Sequence, residues 1–90
     1  MDYALMPVDD VRRYLFEIQS ANVSVVARSP TGFMYNYLRD GRKILSQVAP
    51  GGKITWGQKR NNFIGRHLVQ YRKHKTQRHR LALIAWAYYP

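Results

Sequence analysis

Hydrophobic positions recur at helical spacing through most of this chain. From residue 8 to about 19, Val11, Tyr14, Leu15 and Ile18 fall at i, i+3, i+4 and i+7, which puts them on one face of a helix. Asp9 and Asp10 sit in its first turn, where the helix dipole favours negative charge. Over 22–29 the β-branched Val23, Val25 and Val26 favour extended backbone, yet a lone strand has nothing to pair with, so a connector or short extended piece is expected.

Residues 30–48 admit two patterns. Asp40-Gly41 is a good two-residue hairpin turn, and 33–38 and 44–48 on either side could be strands. At 100° per residue, however, Phe33, Met34, Tyr37, Leu38, Gly41, Ile44, Leu45 and Val48 gather in one arc of roughly 140°, with the charged and amide residues outside it. Only Tyr35 breaks that arc, which makes it the aromatic expected to be exposed. Ser29-Pro30 offers an N-cap and a first-turn proline, and Pro50-Gly51-Gly52 offers a stop. A helix that could break at Gly41 is the expectation, with the hairpin as the alternative.

The third helix has the clearest start. Thr55-Trp56-Gly57-Gln58 is a capping box ahead of a periodic run to about residue 73. Trp56, Phe63, Ile64, His67, Leu68 and Tyr71 share one side of it; Lys59, Asn62, Arg66, Gln70 and Lys73 share the other. A fourth helix, 77–88, follows a Thr76 cap and is apolar all round, which means burial in a core or in a subunit interface. The sequence thus predicts a mainly α fold, a single-domain bundle of three to four helices over 1–90, or α+β if 33–48 forms a hairpin. Phe63, Leu68, Leu81, Ile84 and Trp86 are its expected core.

Composition narrows the functional classes. A chain with 46% hydrophobic and 13% aromatic residues can fold, and with no cysteine it has no disulfide or thiolate metal site. The longest apolar run, 81–89, is far short of the roughly 20 residues a membrane-spanning helix needs. With no basic, apolar leader at the start either, a cytoplasmic location is expected. The distribution of charge matters more than its total of +10. All five acids, Asp2, Asp9, Asp10, Glu17 and Asp40, lie in the first 40 residues beside four arginines, whereas 41–90 carries eleven Lys/Arg and no acid. Such a field draws polyanions.

The stripe Lys59, Asn62, Arg66, Gln70 and Lys73 extends over about 21 Å of helix. Lysine and arginine there could neutralise phosphates, and asparagine and glutamine are the amides that pair with adenine edges. A plain solvated face would normally mix glutamate among its lysines, and this one has none. Lys53 precedes the helix, and Arg72, Lys73, Lys75, Arg78 and Arg80 crowd the segment after it together with His74 and His79. That crowding repels itself unless an anion is present or the segment is a flexible basic loop. No metal site and no cofactor are expected, because His67, His74 and His79 lack carboxylate or thiolate partners nearby in the sequence. His67 reads instead as a core-edge histidine satisfied by a backbone carbonyl. No acid stands in a recognisable arrangement with a nucleophile, and 50–53 lacks the spacing of a phosphate-binding loop, so no catalytic residue is expected.

Thr31-Gly32-Phe33 with Tyr37, Trp56 with Lys59-Arg60, Phe63-Ile64, Arg66-His67-Leu68 and the run 80–88 together resemble small uncharacterised proteins encoded by bacteriophages. The resemblance covers roughly 31–90. It implies a phage-like origin, hence the host cytoplasm, and brings no activity with it. Two roles follow as expectations: a non-enzymatic protein that grips the phosphate backbone of DNA or RNA, or a protein-interaction module, as a virion component or host-directed inhibitor, docking on an acidic partner. The apolar run 81–89 adds the expectation of a homo-oligomer.

Overall fold

The computed structural model describes residues 3–90, so Asp2 lies outside the described residues. Within them the chain is mainly helical: α1 (Val8–Arg13), α2 (Leu15–Ala21), α3 (Val25–Arg28), α4 (Phe33–Asp40), a 3-10 segment (Gly41–Ser46), α5 (Trp56–Lys73) and α6 (Gln77–Ile84). The described residues contain no strand, and their one isolated bridge pairs Val48 with Thr55. No helix among them is long and apolar enough to cross a membrane.

The first predicted helix is two. At Tyr14 the chain tightens, its N–H bonding the Val11 carbonyl three residues back, and α2 starts from there. Val11 and Ile18 are fully buried and Tyr14 and Leu15 half-buried, so the spacing identified the right face. A one-residue tightening does not change which side meets the core, so periodicity could not reveal it.

The 22–29 segment is not extended, despite its valines. It turns through Asn22 and Ser24, both at positive φ (54° and 48°), into the single turn of α3. The Trp86 indole N–H donates to Ser24 Oγ at 2.8 Å, a contact made by the fold that outweighs local β-propensity.

The hairpin alternative for 33–48 is overturned. Phe33–Asp40 is α-helical, and Gly41, at φ 72°, ends it and starts the 3-10 segment. The cap is also displaced from the predicted Ser29-Pro30: α4 starts after Gly32, and the Asn36 amide donates back to the Thr31 and Gly32 carbonyls. A Cβ on Gly32 would lie 2.2 Å from the Val26 carbonyl oxygen, so only glycine lets α3 close against α4. Because Gly41 resets the phase, Phe33, Met34, Tyr37 and Ile44 are buried as expected while Val48 is 61% exposed. Tyr35 is half-buried rather than exposed, its hydroxyl accepting from Gln19 Nε2 at 2.7 Å.

The capping box at α5 is present in both directions: Gln58 N–H donates to Thr55 Oγ1 (3.2 Å) and Thr55 N–H to Gln58 Oε1 (2.9 Å). Thr55→Ala should therefore cost about 1 kcal/mol in urea unfolding and Thr55→Ser much less; equal losses would mean that the hydroxyl is not what matters.

Thr76 caps α6 through the His79 N–H, but α6 stops at Ile84, short of the predicted 88. Ala87 adopts φ 57°, and the pair Ala87 N–H to Ile84 O (2.8 Å) and Tyr88 N–H to Leu83 O (3.1 Å) closes the helix as a Schellman turn. Periodicity could not foresee a left-handed alanine there. Leu81 to Ala87 are all buried in the single chain, so the core takes up the apolar run and removes the surface expected for pairing through 81–89, apart from the half-exposed Tyr89.

Trp86, 1% exposed, is the hub. Its ring stacks on Phe33 (5.1 Å) and Phe63 (5.0 Å) and tilts against Trp56 (6.2 Å), which ties α4, α5 and the end of α6 together. Ile64, Leu68 and Leu83 form a second cluster on the next face of α5. Of the five expected core residues, Leu68, Leu81, Ile84 and Trp86 are buried; Phe63 is only half-buried, one edge reaching the surface.

Candidate nucleic-acid interface

The surface facing away from this core is set by the 18-residue α5, whose buried side holds Trp56, Arg60, Ile64 and Leu68. At about 100° per residue, Asn62, Arg66, Gln70 and Lys73 then face outward, and all four are exposed. Lys59 is half-buried, with its ammonium 5.7 Å from the centre of the Trp56 ring. The predicted stripe is therefore one continuous solvent face.

The remaining candidates divide. Lys53 is exposed on the loop before the Thr55 cap, and Lys75 is exposed on the link between α5 and α6. Arg72 and Lys73 occupy the last turn of α5, where cations suit the negative end of the helix dipole, so both have a structural role available. Arg72 also points roughly 120° around the axis from Arg66, on another flank. Arg78 stands beside the stripe at the start of α6 and donates to the Ala21 carbonyl at the end of α2. Arg80 does not belong to this face. Two residues on, and so roughly 200° around α6, it lies over the Tyr14 and Tyr89 rings and donates to the Tyr89 hydroxyl. The run of charges in the sequence concealed that α6 sends alternate residues to opposite sides.

Asp9, Asp10 and Asp40 are paired within the N-terminal half. The ion pairs among the described residues are Asp9–Arg12 (3.1 Å), Asp10–Arg13 (3.4 Å) and Arg39–Asp40 (3.0 Å), all local and all in the first 40 residues. None engages Lys59, Arg66, Lys73, Lys75 or Arg78. The Arg39 hydrogen bond holds the half-buried Asp40 carboxyl below its ordinary range.

Two adjoining depressions flank α5. One, of about 300 Å³, is lined by Ser24, His67, Gln70, Thr76, Arg78 and His79, with Val23 and Ala82 beneath. The other, of about 180 Å³, lies between Val25 and Val26 on one side and Lys59, Phe63 and Arg66 on the other. Ser24 lines both, and the stacked pair Phe63 and His67 (3.8 Å) joins their floors. Val25 and Val26 are 62% and 50% exposed, and no carboxylate of the described residues lines either depression. His67 meets a backbone carbonyl, Phe63 O, through Nδ1 at 3.1 Å, and His79 Nδ1 lies 3.1 Å from the His74 carbonyl. Among the described residues no three His, Cys, Asp or Glu come together as a metal would require.

One basic residue of α5 is internal. Arg60, 2% exposed, donates through Nε to Trp86 O (2.6 Å), through one terminal nitrogen to Tyr3 O (2.7 Å), and through the other to Ala4 O and Ala87 O (2.9 Å each). It clamps the N-terminal segment onto the end of α6. Its position on the buried side of α5, at i−4 from Ile64, was the available signal.

No family model, curated protein or solved structure matches this chain.

Proposed function

We propose that this chain is a small basic nucleic-acid-binding protein with no enzymatic role, whose outer α5 face grips the phosphate backbone. The observation that carries this is the acid-free, solvent-facing row of Lys59, Asn62, Arg66, Gln70 and Lys73, about 21 Å long, with Arg78 beside it. Local pairing with arginines in the N-terminal half leaves that surface as the pole of an uneven field. Lys53 and Lys75 extend the positive charge beyond the two ends of the helix.

Binding to random DNA and RNA should weaken steeply with salt. Lys59→Ala, Arg66→Ala and Lys73→Ala should each reduce affinity similarly across sequences and flatten the duplex salt slope by about one unit. Asn62→Ala should matter only at preferred sites, where an amide reads a base edge. Arg12→Ala, in a cation already paired with Asp9, should do little. If Arg12→Ala loses as much as Arg66→Ala, attraction is diffuse and the α5 face is not the site.

A second function has one observation in its favour. Val25 and Val26 stand exposed beside Lys59 and Arg66, a mixed apolar and basic surface that would suit an acidic protein partner, as expected of a phage-type interaction module. Absence of salt-dependent nucleic-acid binding near physiological ionic strength would turn the assignment to that partner.

A further inference from the structure

The two depressions beside α5 differ in chemistry and share an edge. The larger gathers the Gln70 amide, the Thr76 hydroxyl, the Arg78 guanidinium and the two imidazoles of His67 and His79 from α5, the α5–α6 link and α6. Ser24 Oγ closes it from the opposite wall; because it accepts the Trp86 N–H, its own hydrogen is left to donate. The smaller has an apolar wall, Val25 and Val26, opposite the Phe63 edge, with the cations Lys59 and Arg66 at its rim. Ser24 belongs to both and is held at φ 48°, a conformation that serine adopts only under constraint.

We infer that this groove takes a single unpaired nucleotide, with its phosphate in the polar depression and its base on the Val25–Val26 wall. The inference rests on the nucleic-acid function proposed above and narrows it to single strands and strand ends. Three features lead there. The Gln70 amide, the Ser24 hydroxyl and the remaining N–H groups of Arg78 converge from separate elements with no carboxylate of the described residues among them, which suits an anionic group. An apolar wall rimmed by cations suits a flat base whose neighbouring phosphates must also be neutralised. And α5 is not a free ridge on this flank, because 23–26 and the start of α6 rise beside it; a duplex whose major groove is only about 12 Å wide would have to admit them too.

Both halves can be altered without touching the core, since Gln70 and Val26 are exposed. The full-length protein is titrated with a short single strand bearing a 5′-phosphate, the same strand with a 5′-hydroxyl, and the corresponding blunt duplex, at fixed salt. The single strands should bind more tightly than the duplex, and the 5′-phosphate should add about tenfold, the scale of a hydrogen-bonded charged contact. Gln70→Glu should remove the phosphate's advantage, and Val26→Glu should remove the preference for single strands. Lys73→Glu, on α5 but outside both depressions, should weaken all three ligands alike. Inorganic phosphate alone should compete only with the phosphorylated end. Equal binding of all three ligands by the wild type, or unchanged preferences in both Gln70→Glu and Val26→Glu, would overturn the groove while leaving backbone binding in place. Absence of binding to every ligand would overturn both.

Discussion

Replacing Arg60 with methionine should destabilise the protein by about 3–5 kcal/mol, because several carbonyls would lose a charged donor at about 1–3 kcal/mol each. The side chain of methionine fills much of the same volume but donates nothing. Its carbonyl partners, Tyr3, Ala4, Trp86 and Ala87, would keep their burial cost without the guanidinium, although Ala87 O would still accept from Met6 N–H at 2.7 Å. Against a total stability of roughly 5–15 kcal/mol for a domain of this size, that is a large fraction. Lysine should rescue only in part, because a single ammonium cannot reproduce the planar fork that spans four carbonyls. Hydrogen exchange adds a spatial signature: protection at Met6 and Tyr88 should fall before that of mid-α5 amides. A methionine variant within 1 kcal/mol of wild type in urea would mean that the clamp contributes little. The neighbouring Tyr37 hydroxyl donates to Met6 O at 2.6 Å, so the same segment is tied twice; burial raises the Tyr37 pKa, opposed by the Arg60 and Arg42 charges.

Truncating Trp86 to alanine should cost roughly 3–5 kcal/mol, since it empties the centre of the aromatic cluster that joins α4, α5 and α6. The indole also performs a second task that phenylalanine cannot. Trp86→Phe keeps much of the ring packing but deletes the N–H donated to Ser24 Oγ, so its cost should be nearer 1 kcal/mol. Its effect on function should exceed its effect on stability. Ser24 is left at positive φ without its tether, so the turn carrying Val25 and Val26 should loosen and the preference for single strands should shrink. A Trp86→Phe protein with unchanged strand preference and unchanged exchange at 23–26 would show that the turn holds itself. Both variants are read in the same urea titration, with nucleic-acid binding measured on whatever remains folded.

Legibility in the sequence followed the range of the interactions. Local signals were reliable: the i, i+3, i+4, i+7 spacing of Val11, Tyr14, Leu15 and Ile18, the Thr55-x-x-Gln58 box, Thr76 as a cap, and the all-apolar 81–84 each depend on neighbours within a turn or two. The mainly α class followed from them. So did the outward row on α5, because the core-facing positions of a long amphipathic helix also fix its solvent side.

The helical class, the start of the long helix and the confinement of acid to the first 40 residues follow from residue order and type alone. Tertiary structure alone decided that Val25 and Val26 form a helical turn instead of a strand, because the Trp86 indole reaches Ser24 from 62 residues away. It also decided that α6 ends at a left-handed Ala87, and that Arg60 is an internal clamp while Arg66, six residues on, faces solvent. Arg80 was separated from Arg78 in the same way, by the side of α6 that meets Tyr14 and Tyr89. The physical reason is common to all of these. A residue's type and spacing set which side of its own helix it occupies, but the partners that bury a charge, hold a positive φ or make a groove come from distant segments, and only packing brings them within reach.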